Sequence, residues 1–381
     1  MTDHPDALAG TPPIAWLHLS WSNFYSARHA LHLITTPKVA CTSLKWWFAA
    51  LEGLEQAVRQ APSSETLPEL VVHDGLPHAA PNRVGRTPEQ FESLCARTDL
   101  FRFAFVRHPA ARVFSAWASK VVLAEPAQAE RLAPQYLHHN LADREQIRSA
   151  FEQFVTEVVA AEANRCTWSD PHWAPQTLLL QPQRLHYSGG IWPIERLDAF
   201  RSALANWVDR RGTGPIDFAL GRYNESPLPY SAQWITPTAH ALIQRHYADD
   251  YAQFGYTPDE LPPGQNPDHL QLESIWCKVQ TIRARNVQFT ALRRRYLDAA
   301  EHMAALPALR EELEWRRAHI MQLEADLAAL HQHIQAELSA KNALIQSQEQ
   351  AMQALLKSRS WRLTAPLRWA SARLRPPRSK A

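Results

Sequence analysis

Two short segments set a positive side chain and hydroxyl groups where the chain turns from strand into helix. The first is TTPKVACTSLK, residues 35–45. It follows LHLIT (31–35), a short apolar run with β-branched residues, and leads into SLKWWFAALEGL, whose apolar residues have helical spacing. A loop at such a junction aims backbone N–H groups and the positive end of the helix dipole at whatever lies in front. Lys38 adds a full charge, Thr42 and Ser43 add hydroxyl donors, and Ser43 suits the N-cap of the helix. With Pro37, Val39, Ala40 and Cys41 these residues form a cradle suited to a dianionic phosphate or a phosphosulfate. No glycine occurs between Leu31 and Leu51, so this is not the G-x-x-x-x-G-K-[ST] loop of nucleoside triphosphatases. No acid is placed for magnesium, and no metal is expected.

The second segment is FAFVRHPAARVFSAW, residues 103–117, again strand, turn and helix. Arg107 leaves the strand end and offers a planar fork for a phosphate; Ser115 lies two turns into the helix. His108 reads as an exposed histidine that shapes the turn. Two separated anion loops imply a ligand with two separated phosphate-type groups.

The elements that must carry these loops repeat as strand, loop and helix, which argues for an α/β fold with a parallel sheet. The chain has 381 residues, enough for a large domain with an appendage. Its net charge of +2 gives no sign of a nucleic-acid binder. The four cysteines are scattered, with neither metal-ligand spacing nor a disulfide framework. The N-terminal stretch MTDHPDALAGTPPIAW lacks the pattern of a secretion signal, and no apolar run is long enough to span a membrane. A cytoplasmic location is expected by default.

PKVACTS resembles the 5′-phosphosulfate loop of the carbohydrate sulfotransferases, the group that holds the chondroitin- and dermatan-type enzymes, with Leu44 where tryptophan is usual. Arg107, Pro109, Arg112, Ser115 and Ala116 match the second family segment, whose R-x7-S pair holds the donor's 3′-phosphate; Ala110, Ala111 and Trp117 depart from it. SDPHWAPQ (169–176) and YADDYAQFGY (247–256) resemble two further segments, so the likeness covers about residues 30–256. RYNESP (222–227) falls where relatives have a loop closing over the donor. The resemblance implies a P-loop-like three-layer sulfotransferase fold around a central parallel sheet. It also implies sulfuryl transfer from 3′-phosphoadenosine 5′-phosphosulfate (PAPS) to a carbohydrate or glycolipid hydroxyl. The donor contacts are then Pro37, Lys38, Val39, Ala40, Cys41, Thr42, Ser43, Arg107 and Ser115. Lys38 stabilises the departing phosphate. The general base is a histidine: His73 is preferred, because the apolar run before it reads as a strand delivering it to the loop, with His172 and then His78 behind it. His172 and Trp173 are candidates for acceptor binding, Trp173 being equally suited to core packing, and Trp168 is a further stacking candidate. Two readings compete. A small-molecule kinase would need magnesium and a glycine-bearing loop. A catalytically degenerate scaffold would act through the C-terminal region.

That region changes character after Pro262. Ile320, Leu323, Leu327, Leu330 and Ile334 step by three and four, the seam of an oligomerising coiled coil; Leu313 and Leu344 extend it. Glu337, Lys341 and Gln348 also fall on seam positions and weaken its far end. A single helix folded back on the domain is the alternative. From Lys357 onward the chain is basic, without an acid, and interleaved with Trp361, Leu363, Leu367 and Trp369. This suits contact with an anionic membrane surface or a solvated tail. SRSWRLTAPLRW resembles tails of bacterial surface-polysaccharide enzymes. The expected organisation is a sulfotransferase domain at 14–260, a helical linker at 261–305, a coiled coil at 306–356 and a basic amphipathic tail at 357–381.

Overall fold

A computed structural model describes residues 12–373, apart from 64, 66, 81–83, 86, 130, 131, 133, 138–140 and 142. Most of the segment read for a secretion signal, and the tail residues Arg375, Arg378 and Lys380, lie outside the described residues. The chain divides into two units, Met1–Leu297 and Asp298–Ala381.

The first unit is built on a four-stranded sheet in the order β1 (Asn23–Ser26), β2 (Leu31–Ile34), β3 (Phe101–Val106), β4 (Gly190–Pro193). The β2–β3 and β3–β4 pairs are parallel, while β1 is an antiparallel edge. The sequence signals for β2 and β3 are matched. Side chains alternate between the two faces of a strand. Leu31, Leu33, Phe101, Phe103 and Phe105 accordingly enter one core, with Phe200 and Phe218 stacked on them. Ile34, Ala104 and Val106 enter a second core on the opposite face, with Trp16 and Leu180. Helices therefore cover both faces, giving the expected α/β layering. They include α1 (Pro13–Ser22), α2 (Cys41–Leu51), α3 (Val72–Ala79), α4 (Pro109–Ala116), α5 (Gln176–Leu180), α6 (Leu197–Arg211) and α7 (Ala248–Phe254).

Residues 69–72, expected as a strand leading to His73, instead turn into α3. Val72 and Leu76, one helical turn apart, are both fully buried beside Val58. This i,i+4 burial selects the helix over a strand.

Helix α8 runs from His269 to Lys357, 89 residues, through Pro307. Its first turns belong to the globular unit. Leu272 and Val279 are buried in the core that holds Trp117 and Phe151, and Asn286 Nδ2 donates to the Leu123 carbonyl at 2.8 Å. In the second unit the seam residues Leu313, Ile320, Leu323, Leu327, Leu330 and Ile334 are all exposed. Beyond Ser358 the described chain forms two short helices, α9 (Arg359–Leu363) and α10 (Ala365–Arg373). The Arg368 guanidinium lies 3.5 Å from the centre of the Trp361 ring and donates to the Trp361 carbonyl and Thr364 Oγ1, each at 2.6 Å. No described helix is long and apolar enough to cross a membrane.

Within the globular unit, Arg112 on α4 is fully buried. It donates to the carbonyls of Pro37 at 3.0 Å, Pro171 at 2.7 Å and Ala174 at 2.6 Å. One guanidinium thus ties α4 to the 35–45 loop and to the 169–176 segment. A lysine has no planar fork to span three carbonyls. Arg112→Lys is expected to lower unfolding free energy by about 3 kcal/mol, read from the urea midpoint.

Candidate active site

The 35–45 loop solves its missing-glycine problem with strained backbone. Lys38 and Ala40 both take left-handed conformations, φ +65° and +50°. Alternating left-handed residues turn successive N–H groups into one concavity, an anion nest. The helix starts earlier than expected: Ala40, not Ser43, is the N-cap of α2, and no side chain caps it. Ser43 sits within the first turn. The uncapped N-terminal amides remain available to a ligand.

A cavity of about 590 Å³ joins this nest to the second loop. Lys38, Thr42 and Ser43 line one part; Arg107 and Ser115 also line it, and the 222–227 segment contributes Arg222 through Pro227. The Arg107 guanidinium has no hydrogen-bond partner among the described residues. Its backbone is clamped: Gln176 Oε1 accepts from Arg107 N, and Gln176 Nε2 donates to Arg107 O, both at 2.9 Å. Asp250 in turn accepts from the amides of Gln176 and Thr177 at 2.8 and 2.7 Å. The segments 169–176 and 247–256 therefore act at a distance, by holding the strand end from which Arg107 emerges. His108, expected as an exposed turn residue, is buried at the start of α4. Its Nε2 bonds the Glu260 carbonyl at 3.0 Å.

A second cavity, about 240 Å³, shares Lys38, Cys41 and Asn224 with the first. Its other charged or titratable lining groups are Glu65, His73, Lys120, Glu125, His172 and Arg293. Lys38 Nζ donates to Ser119 Oγ at 2.6 Å, in the π-helical turn Trp117–Val121 that continues α4. Burial, then the Lys120 charge, lowers the Lys38 pKa to about 8, against a partial pull upward from Glu125. The Lys120–Glu125 ion pair stands beside it. Burial works against the Lys120 charge, but Glu125 outweighs it and keeps that ammonium above its usual range. Burial raises Glu65 to about 7.

The two histidines have different surroundings. His73 Nδ1 is 3.0 Å from Lys45 Nζ, and Nε2 is 3.1 Å from Thr42 Oγ1. The ammonium can only donate, so Nδ1 accepts and Nε2–H donates to Thr42. Burial, followed by Lys45 and other nearby cations, pushes its pKa well below 6.5. Both ring nitrogens are engaged, so His73 orients a loop hydroxyl and has no free lone pair for an acceptor. His172 is arranged otherwise. Its Nδ1 is 2.6 Å from Asp170 Oδ1. Asp170 is 2 % exposed, and its carboxyl stays well below the usual range because His172 and Gln128 Nε2 outweigh its burial. An ionised carboxylate has no proton to give, so Nδ1 carries it and Nε2 holds a lone pair. Burial, then Lys120, keeps the ring neutral by lowering its pKa. Nε2 has no hydrogen-bond partner among the described residues.

Trp173 does not reach the cavity. Its ring is 2 % exposed, stacks edgewise on Phe154 and donates from Nε1 to Glu162 at 3.0 Å. His78 lies off the site, bonded to the Asp74 carbonyl. Trp168 packs on Tyr247. Sequence reasoning missed Ser119, Lys120, Glu65, Asp170 and Arg293. Asp170 alone carried a signal, as the acid two residues before His172.

The sequence profile of the Sulfotransferase family matches residues 21–257. The chain belongs to the sulfotransferase family. No curated protein and no solved structure matches it. Membership implies sulfuryl transfer with PAPS as donor. A nucleotide-sized cavity with a nest at one loop and an unpartnered arginine from the other fits such a donor. Both loops of this sulfotransferase lie inside the matched span. Arg293, on α8, lies outside it.

The loop generates two expectations. Ala40→Gly relieves a left-handed alanine, at about 1–2 kcal/mol, for a smaller entropic loss; the unfolding free energy, read from the urea midpoint, should rise by about 0.5–1 kcal/mol. Lys38 sets a pH dependence. Its folded pKa lies below the unfolded 10.5, so the unfolded chain binds more protons between about pH 8 and 10.5, and stability rises with pH there. A bound phosphate favours the ammonium. Binding of 3′-phosphoadenosine 5′-phosphate (PAP) near pH 9, where its phosphates are already fully ionised, should therefore take up about one proton. Calorimetry in buffers of different ionisation enthalpy measures this, and Lys38→Arg should abolish it.

Proposed function

We propose that this protein is a carbohydrate O-sulfotransferase whose donor occupies the larger cavity and whose acceptor hydroxyl enters the smaller one. The observation that carries this reading is Lys38, which lines both cavities and so stands where donor and acceptor meet. Pro37 to Ser43 hold the 5′ end of the donor, and Arg107 and Ser115 hold its 3′-phosphate. The donor supplies an activated sulfuryl group on a phosphate leaving group. Lys38 moves from Ser119 towards the departing phosphate and stabilises its charge. His172 Nε2 takes the proton of the acceptor hydroxyl, and Asp170 steadies the imidazolium that results. His73 keeps Thr42 aimed at the phosphate. Glu65, Asn224 and Arg293 offer donors and acceptors to a polyhydroxylated acceptor. The polarity of this cavity suits a sugar, in keeping with the resemblance of both loops to chondroitin-type enzymes.

Two measurements test the reading. In metal-free titration, wild type binds PAP, and Arg107→Ala loses at least about tenfold affinity, as expected for a charged hydrogen bond. His172→Asn keeps PAP affinity but lowers transfer of labelled sulfate from PAPS to desulfated chondroitin oligosaccharide by about 10²–10⁴. Folded wild-type protein that ignores PAP would sink the proposal. Full transfer by His172→Asn would return the base to another group.

A further inference from the structure

The exposed seam of α8 continues past Ile334 at Leu344 and Leu355, which are also exposed. Two charged residues interrupt it, Glu337 and Lys341, on the two alternating seam positions, with Nζ 4.0 Å from Oε2. Their placement discriminates between partners. In a parallel, in-register pair each seam residue meets its own copy. Lys341 would face Lys341 of the partner subunit, and Glu337 would face Glu337 of the partner subunit. In an antiparallel pair the two kinds of seam position face each other. A two-fold axis near Ser339 then sets Glu337 against Lys341 of the partner subunit, and by symmetry the reverse. The same register brings Leu323 to Leu355 of the partner subunit, and Ile334 to Leu344 of the partner subunit.

We propose that α8 pairs antiparallel with α8 of a second copy of this chain, with Glu337 and Lys341 setting the register. The pairing is independent of the sulfotransfer chemistry.

The test uses the full chain carrying Leu323→Cys and Leu355→Cys. These positions lie about 48 Å apart along one helix, so a disulfide between them must join two chains. Mild oxidation is expected to give a species of twice the chain mass, with peptides 323 and 355 linked. Linkage of 323 to 323, or a monomer in sedimentation, overturns the proposal. Lys341→Glu is expected to raise the dimer dissociation constant at least about tenfold, and Glu337→Lys/Lys341→Glu to restore it. An unchanged constant in Lys341→Glu overturns the register. PAP affinity, read in parallel, reports that the globular unit is intact.

Discussion

Three backbone carbonyls, of Pro37, Pro171 and Ala174, converge on the buried guanidinium of Arg112, and the site hangs from that convergence. The carbonyls come from two segments far apart in the chain, and Arg112 itself leads from the Arg107 turn into α4. A buried charge is costly unless its donors are satisfied. The three loops can therefore shift only together. Gln176 and Asp250 extend the same logic to the backbone of Arg107. The side chains proposed to hold phosphate are flexible, yet their Cα positions are over-determined by polar bonds made where water cannot compete.

The anion nest and the cation cluster around it hold opposing tendencies. The loop tolerates two left-handed non-glycine residues, at Lys38 and Ala40, and Lys38 is buried near Lys120. Both features cost stability, and an anion in the cavity would offset both: the N–H groups would gain an acceptor and the ammonium a counter-charge. Strain of this kind is typical of functional loops. The same crowd of cations explains why two histidines near the loop differ. Each is kept neutral, but Lys45 occupies one nitrogen of His73, whereas Asp170 orients His172 and leaves the other nitrogen open.

Helix α8 takes part in both units. Its first turns are seated in the core and bring Arg293 to the smaller cavity; its remainder presents an exposed seam. A residue from outside the family span thus lines the cavity assigned here to the acceptor. This is a physical route by which an appended segment can alter specificity on a common fold.

Much of the fold, and the two loops that line the larger cavity, were legible in the sequence, because their determinants are local. LHLIT and FRFAFV have strand composition, each is followed by helical spacing, and the charges at Lys38 and Arg107 sit at the turns between. Period-three-and-four apolar steps likewise marked the helix beyond residue 306. What the tertiary structure decided is non-local. Residues 69–72 read equally as strand or helix until the burial of Val72 and Leu76 chose the helix. Trp173 and His172 are neighbours in the chain, but one is packed in a core and the other lines the cavity. The partners of His73 and His172, and the arrival of Ser119, Lys120 and Arg293, depend on which segments meet in space. A side chain's type sets the chemistry it can do; its protonation and its free lone pair are set by neighbours that no local spacing reveals.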